Sequence, residues 1–209
     1  MTVTKIEVLD KKRYKIFIDE ELAFVLYKGE LRRFGIVEGQ ELAKDIYSEI
    51  IDEHLPKRAY NRCLHLLEKR SYTSNQLRSK LGQGYYPSKA IEYGIARCEH
   101  YGYIDDEDYV RRYIDCYGER KNRKQLLREL IKRGISKDLF ERIYDEADVG
   151  CDEKELILRL LQKRHYLDHL AEAPDRNAIA KEKNKQFSYL FGKGFSPEHI
   201  RSALDITSY

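Results

Sequence analysis

The sequence predicts a mainly α protein made of tandem three-helix repeats, with a small β element confined to its N-terminal end. Three observations carry that prediction. Strand-like alternation occurs only before residue 30, helical apolar stripes fill the chain after residue 59, and a helix-to-helix join recurs three times. That join reads Tyr86-Pro87-Ser88-Lys89-Ala90-Ile91, then Gly134-Ile135-Ser136-Lys137-Asp138-Leu139-Phe140, then Gly194-Phe195-Ser196-Pro197-Glu198-His199-Ile200. In the later two, Gly takes a left-handed turn, the apolar residue tucks under it, and Ser caps the next helix. Spacing between copies is uneven, so a regular solenoid is not implied. A string of such units predicts an elongated, curved monomer.

In chain order, Val3 to Leu9 alternates, Asp10-Lys11-Lys12 makes a turn, and Tyr14, Ile16 and Ile18 alternate again: a hairpin. Leu22 to Tyr27 supplies a third strand, and a short helix is expected around Glu30 to Phe34 before the breaks at Gly35 and Gly39. Leu42, Ile46, Tyr47 and Ile50 mark a helix that Pro56 is expected to end. Residues 1–58 thus form a first part whose role the sequence leaves open between docking arm and structural cap.

The first repeat, 59–105, begins on the stripe Tyr60, Cys63, Leu64, Leu67. Thr73 and Gln76 have capping-box spacing, Ile91, Ile95 and Cys98 form the third stripe, and Gly102 stands at an αL C-cap. Seven Lys or Arg face four acids here, and Arg62, Arg70, Arg78, Lys80 and Arg97 are its contact candidates. Asp105-Asp106-Glu107-Asp108 opens the second repeat, 106–149, and such acids favour a helix start more readily than a metal site. Over 121–133, Lys121, Lys124, Arg128 and Lys132 share one helical stripe opposite Leu126, Leu127 and Leu130. Arg111, Arg112, Arg120 and Arg123 extend it. No acid interleaves this row at i,i+4, so it suits phosphates or an acidic protein surface as well as solvent.

The third repeat, 150–209, carries Leu156, Ile157, Leu160 and Leu161, a long Lys-rich middle helix, and the apolar Phe187, Leu190 and Phe191. His165 and His169 have helical metal-pair spacing but no third ligand, so no metal is expected.

The run Tyr72-Thr73-Ser74-Asn75-Gln76-Leu77-Arg78-Ser79-Lys80-Leu81, followed by Gly102-Tyr103-Ile104-Asp105-Asp106-Glu107-Asp108-Tyr109-Val110 and Glu129-Leu130-Ile131-Lys132-Arg133-Gly134-Ile135, resembles the RecX regulators of the bacterial recombinase RecA. The resemblance covers about residue 59 to the end. It implies binding to RecA–DNA filaments and damping of strand exchange, ATP hydrolysis and repressor co-cleavage. One departure is Asn122-Arg123, where the family often has Gly-Pro, so that helix is expected to start differently.

Composition bounds the alternatives. The net charge of +3 is too small for a protein that coats DNA unaided. Four dispersed cysteines without a CxxC pair read as reduced thiols, and no apolar run is long enough to span a bilayer. A cytoplasmic location follows as the expectation. No phosphate loop, nucleophile elbow or HExxH motif is present, so neither an enzyme nor a cofactor is expected. A helix-turn-helix DNA-binding protein acting without RecA is the rival reading, but the helices starting at Ser88, Ser136 and Ser196 lack base-reading side chains there.

Overall fold

The computed structural model describes residues 1–147 and 153–206. Cys151 lies outside them. The chain divides into two units, Met1–Asp106 and Glu107–Tyr209.

The N-terminal unit opens with an antiparallel meander of β1 (Val3–Val8), β2 (Arg13–Ile18) and β3 (Glu21–Tyr27), with Ile16 opposite both Ile6 and Phe24. Asp10 shapes the first turn by accepting from the Lys12 and Arg13 amides, each at 2.9 Å. The second turn holds Asp19 and Glu20 at φ +48° and +73°, and the Asp19 carboxylate also accepts from the Thr2 amide at 2.9 Å. After α1 (Lys28–Arg33), the glycine turns at Gly35 and Gly39 bring the chain back along the edge of β1. Gln40 O, Val3 O and a Glu38 carboxylate take the amides of Val3, Gly39 and Ile6 at 2.8–2.9 Å. An otherwise open strand edge is thereby covered.

Pro56 does not end the helix before it. The helix continues from α2 (Lys44–Ser48), through a π-helical stretch (Glu49–His54), into α3 (Leu55–Leu67). Proline lacks an amide and crowds the carbonyl four residues back. Wider i→i+5 turns just before it let the chain pass without that clash.

Thr73 and Gln76 close the expected capping box on α4 (Ser74–Gln83), with both bonds at 3.2 Å. α5 (Ser88–His100) packs on α3 through Gly94, where a Cβ would lie 3.1 Å from the Tyr60 amide nitrogen. Any side chain there would have to push the α3 backbone back by a few tenths of an ångström. One core joins sheet and helices, with Ile16, Phe24, Leu26, Ile50, Leu55, Cys63, Leu77, Leu81, Ile95 and Cys98 buried.

Cys63 and Cys98 face each other in that core. Burial pushes the Cys63 thiol up to about 12 and the Cys98 thiol upward too. Cys63 is therefore neutral in the folded chain below its unfolded value, and its contribution to stability is lost as pH rises through the folded one. Since the thiolate is the reactive form, Cys63 should resist alkylation at pH 8 while exposed Cys116 is modified readily. Mass spectrometry after timed labelling checks this; equal rates for the two would contradict the packing.

In the C-terminal unit, α6 (Asp106–Tyr117), α7 (Arg123–Ile131) and α8 (Lys137–Glu146) bury Val110, Ile114, Leu126, Leu130, Phe140 and Ile143 on one another. α9 (Glu153–Lys163), a short α10 (Tyr166–Ala171), α11 (Arg176–Gly192) and α12 (Pro197–Ile206) enclose Ile157, Leu161, Tyr166, Leu190, Phe195 and Ile200. The apolar pattern does not by itself separate α10 from α9. The break comes from His165, left-handed at φ +53°.

The recurring joins share one geometry. Gly134 and Gly194 sit at φ +84° and +95°, and the next residue's amide reaches back to Leu130 O at 3.1 Å and Leu190 O at 3.3 Å. Ser136 and Ser196 then cap the following helices. In the first copy Tyr85 holds the left-handed position at φ +60°, and Pro87 stands at the N-cap. The Tyr86 amide makes the same bond, to Leu81 O at 3.2 Å.

Candidate partner-binding surface

α7 carries the basic row, and its start decides which residues belong to it. Asn122, buried, accepts from the Gln125 amide at 2.9 Å while the Gln125 side chain accepts from the Asn122 amide at 3.3 Å. The Asn122-Arg123 pair thus begins the helix with a capping box. Asn122→Ala should cost about 1–2 kcal/mol in urea unfolding; no loss would mean that the cap is redundant.

Because the helix starts after Asn122, Lys121 stands outside its periodicity. The Lys121 ammonium turns to Glu129 at 2.6 Å and lies 4.4 Å from the Tyr117 ring centre. Burial alone would lower its pKa, but Glu129 and Tyr113 outweigh that and hold it above the usual lysine value. Arg123 is bound to Glu141 and, at 2.8 Å, to Asp145, with its guanidinium over Tyr144. Glu141 and Asp145 come from α8, so a search for acids along α7 alone could not find them.

Lys124, Arg128 and Lys132 are exposed, and none has an ion-pair partner among the described residues. They are the part of the row left open. Gly194 closes in beside them: a Cβ there would come within 3.2 Å of Lys124 Cβ and 3.3 Å of its Cδ. The Asn122 side chain also donates to Lys193 O at 3.4 Å. The stem of Lys124 therefore packs on the turn between α11 and α12 while its ammonium stays in water.

The remaining candidates divide the same way. Arg111 pairs with Glu146 at 2.9 Å and Arg112 with Asp108 at 2.7 Å. Arg78 is clamped by Glu92 at 2.9 Å, which raises its pKa and lowers that of Glu92. Arg62, Lys80 and Arg120 are exposed without an ion-pair partner among the described residues. Arg70 stacks over Tyr72 at 4.4 Å. Arg120 borders a cleft shared with Leu156, Leu160, Arg159 and Lys163, but Glu119 lines it too and Arg159 is paired with Glu155.

The acidic cluster has structural partners. Asp106 accepts from the Ser74 amide at 2.9 Å and its hydroxyl at 2.6 Å, at the start of α4. Glu107 pairs with Arg142. His165 and His169 turn to separate acids, Asp168 at 2.9 Å and Glu182 at 3.5 Å. Among the described residues no three His, Cys, Asp or Glu converge as a metal site would require, and no helix is long and apolar enough to cross a membrane.

Comparison with known proteins gives the assembly its place. Profiles of the first and third RecX three-helix domains match residues 59–98 and 152–204. Regulatory protein RecX of Caldanaerobacter subterraneus is 28% identical over 209 residues, covering 99% of this chain and 100% of that one. The chain belongs to the RecX family. Regulatory protein RecX of Clostridium acetobutylicum is 27% identical over 205 residues, covering 97% of this chain and 94% of its own. A crystal structure of a regulatory protein RecX shares the fold, with a TM-score of 0.62 at 23% identity over 98% of both chains. RecX from Lactobacillus salivarius gives 0.60 at 21%, over 74% of this chain and 97% of that one. The chain is thus a RecX-type regulator, mainly helical and built on three-helix domains behind a three-stranded sheet.

One grouping is not evident from the sequence. Tyr93, Arg97 and Tyr101 fall at i, i+4 and i+8 on α5 and its C-cap, and Tyr60 of α3 joins them. Their spacing is the available signal, but Tyr60 is brought in only by the close helix approach at Gly94.

Proposed function

We propose that this chain binds RecA–DNA filaments and damps the recombinase, acting in the cytoplasm as a monomer, without cofactor or catalysis of its own. The observation that carries the reading is the exposed row Lys124, Arg128 and Lys132 on a RecX three-helix scaffold, with no acid to neutralise it among the described residues. Unpaired cations on a rigid helix suit DNA phosphates or an acidic protein face. Arg120 adds to that row within the C-terminal unit, and Arg62, Arg70 and Lys80 offer separate contacts on the N-terminal unit. Arg111, Arg112, Lys121 and Arg123, already paired, serve the row chiefly by fixing the helices around it, and Arg78, paired with Glu92, does the same for the N-terminal unit. The division at 1–58, 59–105, 106–149 and 150–209 belongs to the same proposal, each part adding weak contacts that combine through avidity. Co-sedimentation with RecA, with and without single-stranded DNA and nucleotide, tests it. Retention only when both are present supports the reading, and no retention with assembled filaments refutes it.

A further inference from the structure

We infer that the N-terminal unit holds a stacking platform for the unstacked bases of single-stranded DNA, built from Tyr60, Tyr93, Arg97, Tyr101 and Tyr103. The choice of DNA as ligand rests on the filament reading above; the platform itself rests on geometry.

α5 sorts its side chains by face. Ala90, Gly94, Ile95 and Cys98 turn into the core, while Glu92 faces α4, where it holds Arg78. The third face carries Tyr93, Arg97 and Tyr101. The Arg97 guanidinium lies 5.2 Å from the ring centre of Tyr60, 5.9 Å from Tyr93 and 5.6 Å from Tyr101, and donates to the Tyr93 hydroxyl at 2.7 Å. Tyr101 continues the array to Tyr60 at 6.5 Å and to Tyr103 at 6.1 Å between ring centres. Gly102, left-handed at φ +69°, places Tyr101 and Tyr103 on either side of the turn.

Two features of this cluster fit a ligand. Tyr101 and Tyr103 are 51% and 54% exposed, although large aromatic groups gain most by burial. Among the described residues the Arg97 guanidinium has only tyrosines as partners, whereas Arg78, Arg111, Arg112, Arg123, Arg142 and Arg159 are each held by a carboxylate. A cation with no acid beside it among the described residues, set among partly exposed rings, complements a ligand that offers phosphate and flat rings together. Single-stranded DNA does so, and stacking on such faces tolerates any base.

The chain contains no tryptophan, so Tyr101→Trp creates a unique fluorescent reporter. With the full chain and no recombinase present, oligo(dT) should quench it saturably, and an abasic strand of equal length should not. Tyr101→Ala/Tyr103→Ala, at exposed positions, should fold normally and weaken oligo(dT) binding by about 5- to 150-fold if a base stacks there. Absence of oligo(dT) binding, equal quenching by the abasic strand, or binding by anisotropy without quenching would each overturn the proposal. So would a double variant that binds oligo(dT) like the parent, including one that loses only recombinase retention and so marks a protein-docking surface. The filament reading fails separately, through loss of filament co-sedimentation by the unmodified chain.

Discussion

Arg58→Ala is expected to destabilise the N-terminal unit by about 3–5 kcal/mol, because it takes the arginine away from a mostly buried carboxylate. Arg58 binds the Glu30 carboxylate at 2.5 Å and donates to Val25 O at 2.7 Å, while its guanidinium stacks over Tyr27 and Tyr86 at 5.2 and 5.0 Å. The two charged side chains are only 14% and 16% exposed, which places the pair well outside the weak class of surface bridges. Glu30 also accepts from the Tyr27 amide at 2.7 Å and meets His54 at 2.7 Å. One arginine therefore fastens β3, α1 and the helix through Pro56 together. Against a typical total of about 5–15 kcal/mol, the loss should be obvious in urea unfolding. Arg58→Lys should recover only part of it, since lysine cannot bridge carboxylate, carbonyl and two rings at once. A loss below about 1 kcal/mol for the alanine variant would show that the sheet does not depend on this contact.

The caps and strands are legible in the sequence because they depend on residues a few positions apart. Thr73 with Gln76, the serines at 136 and 196, the glycine turns and the alternation in β1 and β2 all act locally. Pro56 misleads because local rules treat proline as a stop, while the chain answers it with wider turns upstream. Within the candidate surface, the sequence supplies the row but not its neutralisation. Glu141 and Asp145 lie on another helix, and the helix start at Asn122 moves Lys121 out of phase. The tyrosine platform is hidden for the same reason: Gly94 unites residues of α3 and α5, and a stripe read along either helix shows only part of it.

Reversing Lys124 and Arg128 to Glu should weaken filament binding strongly, because two attractive charges become repulsive. Both side chains are exposed, so the cost in stability should stay within about 0.5 kcal/mol each. A glutamate in place of Lys124 has a shorter stem, yet its methylenes still cover part of the Gly194 turn. Salt dependence identifies the target. If these cations meet single-stranded DNA, the log–log slope of affinity against salt should shrink by about 1.4, roughly 0.7 per lost phosphate contact. If they meet an acidic RecA surface, binding should weaken without that loss of slope.

The most direct measurement is therefore filament affinity of the wild type and the Lys124→Glu/Arg128→Glu variant across a salt series, with strand-exchange inhibition measured on the same samples. The account predicts a folded variant that binds at least about tenfold more weakly and inhibits correspondingly less. A folded variant that binds and inhibits like wild type at every salt concentration would contradict it, and would leave the row as no more than a solvated face.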